Sequence, residues 1–113
     1  MKRSDSMVNI EKISEVAMEI ITYAGLAKSN YLMALRECKQ GRKEEAINKL
    51  NEGSKEFVKA HECHGKVLLD EMQTLEPQVS LLLVHAEDQL MSAETIKILV
   101  EELIELYKER RGI

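Results

Sequence analysis

Two side chains able to carry chemistry lie three residues apart in the last third of the sequence, His85 and Asp88. Residues three apart on a helix are neighbours on its surface. An imidazole can accept a phosphoryl group, bind a metal or act as a general base. The sequence around the pair is largely apolar, and a carboxylate inside an apolar face is unfavourable unless it is paired or neutralised. No Lys or Arg lies three or four residues from Asp88, so its partner must come from elsewhere.

A second group of potential ligands, His61, Cys63 and His64, follows in one short string. On a helix Cys63 projects about 100° or more away from either histidine, so the three cannot converge on one ion. Two interpretations of His61 and His64 stay open. Each is a core or rim histidine satisfied by one hydrogen bond, or the two form a two-ligand metal site.

Glycine and proline positions define the elements that must hold these residues. Gly41 follows one long periodic segment, Pro77 follows a second, and nothing interrupts the chain from Ser80 to Arg111. The pattern predicts three helices over about 7–40, 43–73 and 80–110. We therefore expect a single domain over residues 1–113, all-α, folded as a three-helix antiparallel bundle.

Apolar spacing predicts which side of each helix is buried. Helix 1 has one stripe: Ile10, Ile13, Ala17, Ile20, Ala24, Ala27, Tyr31, Leu35 and Cys38. Gly25 within that helix indicates either close helix packing or room for a ligand or partner. Helix 2 is expected to bury Ile47, Leu50, Ser54, Phe57, Val58, His61, Gly65, Leu68 and Met72.

Helix 3 is apolar around about two-thirds of its circumference, whereas a surface helix needs little more than about 100°. Its apolar arc contains His85, Asp88 and Gln89. A helix of this kind must bury two faces, and one of them has no partner within a three-helix chain. We therefore expect self-association. In a cyclic oligomer several copies of Asp88 could meet on the axis, where like charges require a cation or a proton.

Composition excludes several classes of function. The chain of 113 residues has 16 basic and 20 acidic residues, a net charge of −4, which argues against nucleic-acid binding. The longest uncharged run is about half of the roughly 20 residues that a membrane span needs. The basic N-terminus precedes no apolar segment, so no signal peptide is predicted. The two cysteines are expected to be free thiols in a cytoplasmic protein.

The string VHAEDQLM at 84–91 resembles the signature of the lactose/cellobiose-type enzyme IIA components of the bacterial sugar phosphotransferase system, which is close to V-H-A/G-Q-D-H-L-M. Three further stretches agree in order and spacing. The residues 23–29 (YAGLAKS) are similar to the family's YAG-x-A-K/R-S segment, 60–61 to its A-H dipeptide and 103–108 to its LIELYK. The resemblance covers nearly the whole chain.

The resemblance implies a homotrimer of three-helix subunits that acts as a phosphotransferase component. His85 matches the histidine that the phosphocarrier HPr phosphorylates and that passes the phosphoryl group to a cysteine of the cognate IIB. Asp88 matches the aspartate that faces the trimer axis and helps to bind a metal ion, typically magnesium. In this family the membrane IIC partner carries the sugar specificity, for a lactose-, cellobiose- or chitobiose-type sugar.

This sequence departs from the family pattern at the signature itself. Gln89 stands where the family has its second histidine, Glu87 replaces a glutamine, and His64 replaces a glutamine after the A-H dipeptide. The first two changes shift the local charge toward negative and predict slower phosphoryl transfer, with His64 as a possible replacement imidazole. Two alternatives to a working carrier follow: a transfer-impaired trimeric relative that acts as a regulatory or partner-binding scaffold, and a metal-binding bundle that uses His61 and His64.

Overall fold

The fold is described from a computed structural model, which describes residues 10–111. It contains three helices, α1 (Ile10–Lys39), α2 (Lys43–Thr74) and α3 (Leu81–Arg111). These agree with the predicted helices to within a few residues, and the predicted start of the first at residues 7–9 lies outside the described part. The all-α, three-helix bundle predicted from the sequence is confirmed.

Cross-helix contacts give the direction of each helix. Along α1 and α2 the contacting pairs run in opposite order, from Cys63 with Glu19 to Tyr31 with Ser54, so the two helices are antiparallel. Tyr107 of α3 donates to the carbonyl oxygen of Lys39 at 2.7 Å, near the C-terminal ends of both α1 and α3. The chain therefore runs up, down and up in a bundle of 68 × 19 × 17 Å.

The loop between α1 and α2 is closed by a C-terminal helix cap. Gly41 adopts a φ of 78°, which is accessible to glycine and unfavourable for most other residues. The N–H of Arg42 donates to the carbonyl of Glu37 at 2.9 Å, and that of Gly41 to the carbonyl of Cys38 at 3.0 Å. This pair of bonds is the Schellman arrangement, and it ends α1 where the glycine predicted an end.

The core lies along α1, which packs against both other helices, while α2 and α3 touch each other least. The buried face of α1 is the predicted stripe with two corrections. Ile10, the first residue of the helix, is exposed, and Ala34 is fully buried whereas Leu35 is only partly so. It is unusually rich in small residues, which allow the axes to approach closely: Ala17, Ala24, Ala27 and Ala34 are all fully buried.

The predicted buried face of α2 is wrong by about one residue. The buried residues are Ala46, Gly53, Ala60, Cys63 and Val67. Six residues predicted to be buried, most of them large, are exposed instead: Ile47, Val58, His61, Gly65, Leu68 and Met72. The physical reason is that α2 packs against α1 mainly through small side chains. A prediction that gives most weight to large apolar residues therefore places the buried stripe of α2 on the neighbouring face.

Gly53 marks the tightest approach of α2 to α1. A Cβ at this position would lie 3.0 Å from Cε1 of Tyr31 and 3.3 Å from the carbonyl oxygen of Ala27. Tyr31 is fully buried, and its hydroxyl lies 3.2 Å from Ser54 Oγ. Burial raises the pKa of the Tyr31 hydroxyl. Gly25 and Gly65, by contrast, have no neighbour within 4 Å of such a Cβ, so Gly25 is not required for packing inside the protomer.

We expect Gly53→Ala to lower the free energy of unfolding by about 1–2 kcal/mol, because the gain in helix propensity is smaller than the cost of displacing the Tyr31 ring. Gly65→Ala in the same helix is the matched control. It should raise stability by about 0.5–1 kcal/mol. Denaturant unfolding followed by circular dichroism measures both, and equal effects of the two substitutions would contradict the packing argument.

Candidate functional site

His85 and Asp88 lie on the outward side of α3, and both side chains are exposed. The start of α3 fixes their register. The Ser80 hydroxyl accepts a hydrogen bond from the N–H of Leu83 at 3.0 Å, and its carbonyl accepts one from Val84 at 3.0 Å, so Ser80 is the N-cap. The opposite side of the helix packs into the core through Leu83, Ala86, Leu90, Ala93, Val100 and Ile104.

The outward side of α3 is also apolar along its whole length. We call this surface the α3 stripe, and it consists of Leu81, Val84, Met91, Ile98, Leu99, Leu103 and Leu106. Leu81 is 87% exposed and Met91 64%. The two apolar faces expected from the sequence are therefore present, and one of them is uncovered in the protomer.

Asp88 lies in the middle of the α3 stripe. Among residues 10–111 its carboxylate has no ion-pair or hydrogen-bond partner. His85 lies one turn before Asp88 on the same outward side of α3, as the sequence predicts. Exposure to water is what makes an unpaired carboxylate tolerable at this position in an isolated protomer.

Gln89 lies one turn after His85 and is half-buried between α3 and α1. Lys28 of α1 donates a hydrogen bond from Nζ to Gln89 Oε1. Residues four apart on a helix face the same side, so Gln89 flanks His85. The site thus receives a cationic residue from α1 that was not among the site residues predicted from the sequence.

Glu87 points to another side of α3. Its Oε2 lies 2.7 Å from Nε2 of His64 on α2, with the side chains 38% and 20% exposed. Residues two apart on a helix do not face each other. His64 is therefore bound to Glu87 about 160° around the helix from His85, and within the protomer it does not bring a second imidazole to His85.

His61 and Cys63 do not belong to this site. The exposed His61 ring packs edge-on against Phe57, with centroids 4.7 Å apart. The buried Cys63 thiol donates to Glu19 Oε2 at 3.4 Å, and burial, followed by this contact, raises the pKa of the thiol. The sulfur is thus held protonated and weakly nucleophilic. Both Cys38 and Cys63 are free thiols, as predicted.

No group of three or more His, Cys, Asp or Glu side chains within residues 10–111 is arranged to hold a metal ion. His61 contacts Phe57, whereas His64 contacts Glu87, so the two imidazoles have different partners. A metal at Asp88 would consequently need ligands from further copies of the chain.

None of the helices in the described part has the length and apolarity to span a bilayer.

We expect the His64–Glu87 contact to stabilise the bundle where α2 and α3 meet. His64→Gln and Glu87→Gln should each lower the free energy of unfolding by about 0.5 kcal/mol, since both groups retain contact with water. In the double variant the effects should be less than additive. Glu94→Gln, an exposed carboxylate one repeat along α3, is the matched control and should show no coupling to His64. Additive effects in the first pair would show that the contact contributes nothing.

Comparison with known proteins agrees with this architecture. The family model of the phosphotransferase system lactose/cellobiose-specific IIA subunit matches residues 15–108. A lichenan-specific phosphotransferase enzyme IIA component of Bacillus subtilis is 35% identical over 105 residues, which is 90% of this chain and 96% of the relative.

Two solved structures are also similar. The crystal structure of a cellobiose-specific enzyme IIA from Bacillus anthracis has a TM-score of 0.83 and 31% identity, covering 96% of this chain and 97% of that one. The chitobiose IIA of Escherichia coli, solved in complex with HPr, has a TM-score of 0.78 and 31% identity, covering 88% and 96%. The chain therefore belongs to the lactose/cellobiose-specific IIA family of the bacterial sugar phosphotransferase system.

Proposed function

We propose that this chain is a cytoplasmic phosphocarrier that accepts a phosphoryl group from phospho-HPr on His85 and passes it to a cysteine of a IIB protein. The observation that carries the proposal is the exposed His85 at the edge of the α3 stripe, at the signature position of a family of phosphotransferase components. The relative solved with HPr supports HPr as the donor. Through IIB, the phosphoryl group would serve a membrane IIC that imports a lactose-, cellobiose- or chitobiose-type sugar.

The transfer itself needs little covalent assistance from the protein. A neutral imidazole nitrogen of His85 attacks the phosphorus, a new N–P bond forms, and the bond to the donor histidine of HPr breaks. In the second step a IIB thiolate attacks the same phosphorus and His85 leaves. Phosphoryl transfer depends mainly on in-line positioning and charge stabilisation. An imidazole on an exposed helix surface can be approached by two successive protein partners, which a buried one cannot.

We also propose that the protein is a homotrimer held by the α3 stripe. Positions 81, 84, 88, 91, 95 and 98 follow alternating steps of three and four, the repeat by which helices pack in coiled coils. Parallel copies related by rotational symmetry place each residue at the same height as its equivalents. Three such helices would cover the exposed apolar side chains at positions 81, 84, 91 and 98 and bring three copies of Asp88 together at the axis.

A magnesium ion would fit such an axis. A single protomer offers only the Asp88 carboxylate, but carboxylate oxygens are the ligands that Mg²⁺ prefers, and Asp88 has no competing cationic partner in the described residues. The three copies of Asp88 would hold the ion, and its charge would offset their mutual repulsion. The ion has a structural role in this proposal, separate from the phosphoryl group on His85.

Incubation with phosphoenolpyruvate, enzyme I and HPr should give one acid-labile phosphoryl group per chain, and His85→Ala should abolish it. His61→Ala and His64→Ala are matched controls and should be labelled at close to the normal rate, because neither imidazole lies beside His85. A label that survives in His85→Ala would refute the assignment. An unlabelled native chain would instead favour the scaffold alternative.

Asp88→Leu should retain the trimer, raise its stability at low divalent-metal concentration and abolish the bound metal. Two carboxylates about 5 Å apart at an effective dielectric constant of about 20 repel by about 3 kcal/mol, and the leucine replaces that repulsion with apolar contact. Asp88→Asn is the isosteric control for charge. Sedimentation and elemental analysis measure both properties. A monomeric Asp88→Leu, or one that keeps its ion, would contradict the proposed axis.

A further inference from the structure

The contact between Lys28 and Gln89 fixes the orientation of the Gln89 amide. An ammonium group can only donate hydrogen bonds, so its partner must be the amide oxygen, Oε1. The other end of the amide, Nε2, carries two N–H donors. Among the described residues these donors have no acceptor. The amide is thus held with its acceptor occupied by Lys28 and its donors available.

The Gln89 side chain leaves α3 on the flank that carries His85. Gln89 follows His85 by four residues, and side chains so spaced have Cβ atoms about 6 Å apart on the same surface. A phosphoryl group on His85 would extend the imidazole by several further bonds. It would then be within reach of the N–H donors of an amide whose oxygen accepts a hydrogen bond from Lys28.

Anionic residues lie near His85, so a nearby positive charge matters for binding a phosphoryl group there. Asp88, one turn along α3, is anionic and would repel a dianionic phosphoryl group. Glu87 is anionic as well, but it faces α2, where it is paired with His64. Lys28 is the cation that reaches this flank of α3 from α1. It is half-buried, so its charge is less screened than that of a fully exposed lysine.

We propose that Lys28 is a positioning residue for phosphoryl transfer, which acts through Gln89 to hold the amide donors toward a phosphoryl group on His85 and to supply the positive charge that glutamine lacks. Polarisation by the ammonium strengthens the amide as a donor, since hydrogen bonds in a chain reinforce one another. The inference rests on the proposed function of His85 and adds a residue from a second helix to that site.

The test compares Lys28→Met, which keeps the length of the side chain and removes its charge, with Lys28→Arg, which keeps both charge and donors. Transfer from phospho-HPr should fall about tenfold in Lys28→Met and return to within about threefold of the native rate in Lys28→Arg. Lys55→Met removes the same charge from an exposed position of α2 and should leave the rate unchanged. Thermal unfolding midpoints measured alongside separate a loss of transfer from a loss of fold.

Coupling to Gln89 is tested in the Gln89→His background. There the imidazole provides its own donor, so Lys28→Met should lower the rate by less than about threefold. An equal tenfold loss in both backgrounds would overturn the proposal, because Lys28 would then act independently of Gln89. An unchanged rate in Lys28→Met, or a loss that arginine does not restore, would overturn it as well.

A readout that needs no phosphorylation keeps this inference separate from the proposed function. In ¹H–¹⁵N spectra of the unphosphorylated proteins, the signal of the Gln89 side-chain amide should shift between the native chain and Lys28→Met. It should not shift between the native chain and Lys55→Met. A native chain that is never labelled by phospho-HPr contradicts the function of His85. A Gln89 amide unaffected by Lys28→Met contradicts the Lys28 contact, whatever the outcome of the labelling.

Discussion

The close packing of small residues along α1 is the constraint from which the rest of the structure follows. Four fully buried alanines on this helix leave room for both other helices to pack directly against its backbone. Since α2 and α3 both contact α1 and touch each other least, the bundle is an open, elongated assembly rather than a closed one. One side of α3 is buried against α1, and the other side faces outward.

This openness explains why α3 can be apolar on two faces in a stable protomer. Leu83, Ala86 and Leu90 supply the intramolecular contact. The α3 stripe adds nothing to the stability of the protomer and is costly to leave in water, since exposed contiguous apolar surfaces usually mark sites of association. The same geometry leaves His85 on the boundary between the stripe and the α1-facing flank, where a partner protein can approach without separating the helices.

Much of the fold could be predicted because the relevant signals are local. Gly41 and Pro77 mark the ends of helices through their own backbone preferences, and α1 and α2 end shortly before them, at Lys39 and Thr74. The two apolar faces of α3 followed from periodicity alone. The buried face of α2 could not be predicted in the same way, because its contact with α1 selects Gly53 and Ala60 for their small size, and a measure of apolarity gives such residues little weight.

The candidate site was predictable in part for the same reason. His85, Asp88 and Gln89 share a helix, so their spacing places them beside one another without reference to any other element. Lys28 and His64 come from other helices, and their partners depend on how far each helix is rotated and shifted along its neighbours. A shift of one residue would move Lys28 by about 100° around α1 and away from Gln89. The same shift in α2 would separate His64 from Glu87. Each of the two changed residues of α3 makes a tertiary contact with a different neighbouring helix, Gln89 with Lys28 of α1 and Glu87 with His64 of α2. The charge around His85 is therefore a property of the packed bundle and cannot be read from the residues of α3 alone.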